Sequence, residues 1–89
     1  MNRYTKLLRK LIHDSNLSLS QISKLLQQKG LKTEKSYLSK LQNGKLSPAS
    51  DQMNKALAEV LSSDPVELMA AAYREKIPPE VLKRLCTSA

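Results

Sequence analysis

Between Leu31 and Lys45 the chain reads Leu-Lys-Thr-Glu-Lys-Ser-Tyr-Leu-Ser-Lys-Leu-Gln-Asn-Gly-Lys. On a helix, Lys35, Ser36, Ser39 and Lys40 share one side, while Leu38 and Leu41 share the other. The first set has a definite chemistry: hydroxyls and ammonium groups hydrogen-bond base edges in a DNA major groove, and phosphates attract the lysines. The second set would pin the helix to a core. Thr33 reads as the N-cap of a helix starting at Glu34. Asn43-Gly44 ends that helix, since glycine reaches positive φ without a Cβ clash and asparagine tolerates that region. The prediction is a short helix of about ten residues, a common length for a soluble domain. An ordinary amphipathic surface helix would show the same pattern, so the rest of the chain has to decide between the two.

The chain has 89 residues, enough for one domain with a small core. It has no Trp or Phe, and its only aromatic residues are Tyr4, Tyr37 and Tyr73. The core must therefore come from Leu, Ile, Val, Met and Ala. Cys86 is the single cysteine, which excludes an internal disulfide and fits a reducing compartment. No apolar run approaches the roughly twenty residues of a membrane span, and no signal peptide is visible. The expectation is a soluble, cytoplasmic protein with no membrane partner.

The net charge of +7 is unevenly placed. Residues 1–50 carry ten Lys or Arg against Asp14 and Glu34, a net of +8, whereas residues 51–89 carry five basic and six acidic residues, a net of −1. All the excess positive charge lies in the half that contains the Lys-Ser stretch. Such asymmetry points to a polyanion at one end of the domain, whereas a merely solubilising charge mixes its signs more evenly.

Tyr4, Leu7, Leu8, Leu11 and Ile12 predict an amphipathic helix over about residues 3–15. Arg3, Lys6, Lys10 and His13 form its polar stripe, with Arg9 beside it; a solvated face is the favoured explanation of that stripe and a phosphate-contacting face the alternative. Ser18 with Gln21 three residues later has the spacing of a capping box, which would open a helix over about 18–29. Ile22, Leu25 and Leu26 point inward on it, Gln21, Lys24 and Gln28 outward, and Gly30 stops it. A Gly-containing turn of about four residues then leads into the Lys-Ser helix, making a helix-turn-helix candidate with that helix as the reader. Ser50 caps a fourth helix over 51–61, with Met53, Ala56, Leu57, Val60 and Leu61 apolar. Asp64-Pro65-Val66-Glu67 starts a fifth over 65–76, with Leu68, Met69, Ala72 and Tyr73 as its buried face. Pro78-Pro79 ends it, and a last short helix over 79–86 follows. Nothing alternates long enough with period two to argue a strand.

No catalytic constellation can be built. His13 and Cys86 each stand alone, a metal site lacks ligands, and Gly30 and Gly44 make no phosphate loop. The expectation is a protein that is not an enzyme and needs no cofactor. Single-stranded nucleic acid is disfavoured because the basic half offers only Tyr4 and Tyr37 for base stacking, and Tyr4 belongs to the apolar stripe.

Leu17-Ser18-Leu19-Ser20-Gln21-Ile22-Ser23-Lys24-Leu25-Leu26, followed by Ser36-Tyr37-Leu38-Ser39-Lys40-Leu41-Gln42-Asn43-Gly44-Lys45, resembles the lambda-repressor-like, or XRE-type, helix-turn-helix domains of bacteria and their phages and plasmids. Leu57-Ala58-Glu59-Val60-Leu61 and Asp64-Pro65-Val66-Glu67-Leu68 resemble that family's closing helices, so the likeness covers roughly residues 4–73. It implies an all-α, five-helix DNA-binding domain over residues 1–76. The remainder, 77–89, would be a short apolar helix and tail. It also implies a transcriptional regulator, usually a repressor, that binds inverted-repeat operators as a homodimer. By position, Glu34, Lys35, Ser36, Ser39 and Lys40 would face bases, while Ser18, Lys32, Thr33, Tyr37, Asn43 and Lys45 would lie near phosphates. Ile77, Val81, Leu82 and Leu85 form a late apolar stripe suited either to a dimer contact or to capping its own domain. The sequence departs from the family in two places. Leu19 stands where a glutamine is common, and the link between the second and third helices is about five residues longer than usual, which predicts an extra turn on the second. A protein-binding adaptor or antitoxin-like module on the same fold is the competing expectation.

Overall fold

Five α-helices and no strand make up the described residues, 3–76 and 80–81, of the computed structural model: α1 Arg3–Ser15, α2 Leu19–Gln28, α3 Lys35–Gln42, α4 Asp51–Val60 and α5 Pro65–Lys76. The local chemistry at their ends accounts for most of these boundaries. Ser18 closes a capping box on α2: its Oγ accepts from the Gln21 amide at 3.1 Å, and Gln21 Oε1 accepts from the Ser18 amide at 2.8 Å. Ser50 Oγ accepts from the Met53 amide at the start of α4. Asp64 Oδ1 accepts from the Val66 amide at the start of α5. Gly30, at φ +86°, ends α2 in a Schellman turn, with the Gly30 amide donating to Gln27 and the Leu31 amide to Leu26. Gly44, at φ +73°, ends α3 in the same way, through Gly44 to Leu41 and Lys45 to Lys40.

The start of α3 differs from the sequence expectation. Thr33 is not its cap. The N-cap is Glu34, which makes no side-chain capping bond, and the helix runs eight residues. Thr33 is instead only 3% exposed, and its hydroxyl donates to the Leu31 carbonyl at 3.3 Å. The connection spans residues 29–34, longer than the four-residue turn expected, and α2 stops at Gln28 rather than at residue 29. The Schellman closure fixes that stop, so the additional length lies in the link and α2 gains no turn.

The core is built on Tyr4 and Leu8 of α1, Ile22 and Leu26 of α2, Leu38 and Leu41 of α3, Leu57 of α4 and Leu68 of α5, all buried. Each fully buried leucine contributes about 1.5–3 kcal/mol. α5 packs on α1 and α4, while α3 packs on α1 and α2. Helix α3 is therefore held along its inner side by the first two helices. The inner face of α5 also departs from expectation: Ala71 joins Leu68 and Ala72 in the core, Met69 is half-buried, and Tyr73 is 46% exposed. Its hydroxyl donates to the Asp51 carboxylate on α4, so it bridges two helices at the surface. Leu25, expected inward, is half-buried.

Asn54, 0% exposed, is a buried polar group that the sequence did not lead us to expect. Asn54 accepts from the Tyr4 hydroxyl through Oδ1 at 2.6 Å and donates through Nδ2 to the Ala49 carbonyl at 3.0 Å. It thereby ties α1, α4 and the segment preceding α4 together inside the core. None of the described helices is long and apolar enough to cross a membrane. Residues 80–81 are helical and Val81 is 48% exposed, while Ile77, Leu82 and Leu85 of the late apolar stripe lie outside the described residues.

Candidate functional site

Leu38 and Leu41 are each 1% exposed, which anchors one side of α3. The helical repeat then places Lys35, Ser36 and Lys40 in solvent on the opposite side, and Ser39 half-buried at its edge. Glu34 is exposed at the start of the helix, where Ser36 Oγ donates to its Oε2 at 3.4 Å. At the other end Asn43 Nδ2 donates to Ser39 Oγ at 3.5 Å. Each hydroxyl therefore already has a local partner, and each retains further hydrogen-bonding capacity toward an incoming group.

The cations around α3 are available. Lys32, Lys35, Lys40 and Lys45 are exposed, and none forms an ion pair with another described residue. Lys45 sits just past Gly44. A Cβ built on Gly44 would lie 3.6 Å from Thr5 Oγ1, so the end of α3 rests against α1. Lys29, by contrast, is committed: its Nζ lies 2.7 Å from Glu59 Oε2, and this hydrogen bond and charge hold the Glu59 carboxyl below its usual range.

Beside the start of α3 lies an open groove of about 750 Å³ lined by Gln27, Lys32, Thr33, Glu34, Tyr37 and Met53. Burial pushes the half-buried Tyr37 phenol up from its ordinary pKa, so it stays a neutral hydroxyl donor. Of the residues expected near phosphates, Lys32, Asn43, Lys45 and Ser18 are exposed and Tyr37 lies in the groove wall. Ser18 also serves as the α2 cap. Thr33 is the exception, because its side chain is buried and its hydroxyl donates to Leu31, away from solvent.

Two residues at this site escaped the sequence reading. Ser23, buried on α2, donates its hydroxyl to the Thr33 carbonyl. Gln27, one turn later, donates through Nε2 to that same carbonyl at 3.0 Å. Their spacing of four was the available signal, but on a helix with a clear apolar stripe two neutral polar residues look like ordinary boundary positions.

The chain matches no family model, no curated protein and no solved structure.

Proposed function

We propose that this protein is a sequence-specific double-stranded DNA-binding regulator of the lambda-repressor-like helix-turn-helix type, with α2 and α3 as the motif and α3 as the helix that enters the major groove. The observation that carries this reading is the two-sidedness of α3. Its apolar side is anchored on α1 and α2, while Lys35, Ser36 and Lys40 project together from a helix short enough to lie in the groove. Lys32 and Lys45 flank it as cations that pair with no acidic group among the described residues, and the half of the chain that contains them carries the whole positive excess.

In this reading Lys35, Ser36, Ser39 and Lys40 face bases, with Glu34 selecting against wrong registers or accepting from a cytosine amino group. Lys32, Asn43, Lys45, Ser18 and Tyr37 hold phosphates. A domain this small reads only a short half-site, so the operator is an inverted repeat bound by a homodimer. Two-fold pairing sets two α3 helices about one DNA turn apart.

Fluorescence anisotropy with a labelled duplex tests the reading. Affinity should fall by orders of magnitude between about 50 and about 200 mM salt if six or more phosphates are engaged. Absence of duplex affinity at low salt, together with a stable complex with a second protein, would replace this reading with the adaptor.

A further inference from the structure

The first turn of α3 has no side-chain cap, since Glu34 makes no capping bond. The carbonyl just before it is nevertheless held twice. The Thr33 oxygen accepts from Ser23 Oγ and from Gln27 Nε2, and Gln27 Nε2 also lies 3.4 Å from Ser23 Oγ. A carbonyl oxygen has two lone pairs, so this pair of donors fills it. Both donors sit on α2, four residues apart on one edge, and the oxygen they hold belongs to the residue preceding the N-cap of α3. The long link of residues 29–34 would otherwise leave the two helices connected by backbone with several soft dihedrals.

We infer that Ser23 and Gln27 are positioning residues that set the orientation of α3 on α2, and through it which bases the helix reads. This rests on the DNA-binding reading for its consequence but not for its geometry. The groove beside the clamp gives α3 room to swing if it is released, since Thr33, Glu34 and Tyr37 form one side of an open space of about 750 Å³ whose other lining comes from Gln27 of α2 and Met53 of α4. The anchors Leu38 and Leu41 keep the helix on the core and so fix its presence. They leave its tilt to whatever holds its first turn.

The test is a double variant, Ser23→Ala with Gln27→Met. It removes both donors without changing the charge and keeps side-chain size near the original, and Ala and Met are good helix formers. Affinities for a selected site and for random duplex are measured alongside thermal stability, and residual dipolar couplings of the α3 amides are measured in the free protein. The expected result is a fall in the ratio of specific to random affinity by roughly tenfold or more, the scale of one mismatched base pair. The random affinity and its salt slope should hold, and the α3 couplings should change relative to those of α2. Ser23→Thr, which keeps a hydroxyl, should restore discrimination when Gln27 is left intact. A parallel fall in both affinities, or α3 couplings unchanged from wild type, would overturn the inference and leave the clamp as a fold contact only. Should the wild-type protein bind no duplex at all, the functional reading fails by itself. The couplings then decide the clamp: a changed α3 orientation keeps it, an unchanged one removes it.

Discussion

Lys40 and Lys45 carry the same charge but are expected to fail differently when truncated. Lys40 projects from α3 beside Ser36, so Lys40→Ala should lose about 1–3 kcal/mol at one base position and alter which sequences are preferred. Lys45 lies beyond the Gly44 turn, so Lys45→Ala should weaken all duplexes alike and lower the salt slope by about one unit. Competition binding against single-base variants of a selected site, repeated over a salt series, separates the two. In the core, Tyr4 offers a different test. Burial pushes its phenol up to about 12 from an ordinary 10.0. A folded pKa above the unfolded one stabilises the native state below the unfolded value, and that contribution is lost as pH rises from about 10 through about 12. Tyr4→Phe should remove this share of the alkaline loss. It should also cost about 1–3 kcal/mol at neutral pH, because the buried Asn54 Oδ1 loses its donor. Denaturant unfolding of both proteins across the alkaline range measures both effects.

Helix ends were the most legible elements, because their chemistry is local. Ser18 with Gln21, Ser50, Asp64 and Gly44 each satisfy or release backbone groups within a few residues of themselves, and each terminus forms where those residues place it. Thr33 shows where locality stops. As a cap it would serve only its own neighbours, but two donors from α2 hold its carbonyl and its side chain turns inward, a tertiary effect that spacing along one helix does not reveal. Asn54 and Tyr73 are cases of the same kind: partners fifty and twenty-two residues away decide their burial. The outward face of α3 was readable because Leu38 and Leu41 fix its phase, whereas the clamp behind it was not. Leu38→Ala should therefore destabilise the fold by about 2–5 kcal/mol, as expected for emptying a buried site, with the loss visible in thermal unfolding rather than in base preference. The end of α4 makes an independent prediction. Ser62 adopts φ +55° at the position that glycine occupies after α2 and α3, with its amide donating to Glu59 and the Ser63 amide to Ala58. Ser62→Gly should raise stability by about 0.5–1 kcal/mol by relieving the left-handed conformation, and Ser62→Ala should not.

At the scale of the molecule, the charge separation and the five-helix packing serve one arrangement. α4 and α5 close the core from the nearly neutral half, while α1, α2 and α3 carry the basic half, with α3 held between its two neighbours. If α3 reads bases as proposed, the small size of this surface calls for two copies on an inverted repeat. The late stripe of Ile77, Val81, Leu82 and Leu85 is the segment to remove in a first test: a chain ending at Lys76 should keep its helicity largely intact and dimerise more weakly, as read by circular dichroism and analytical ultracentrifugation, whereas an unfolded monomer would make the stripe part of the core and an undiminished dimer would place the interface elsewhere. Selection of bound sites from random duplex DNA, with wild type, Lys40→Ala and Lys45→Ala run side by side, decides whether α3 reads bases. The expected result is an enriched inverted repeat for wild type, a changed preference at one position of each half-site for Lys40→Ala, and an unchanged preference at reduced yield for Lys45→Ala. If the wild-type protein enriches no sequence, or if both variants lose affinity uniformly with the preference intact, α3 is not the reading helix.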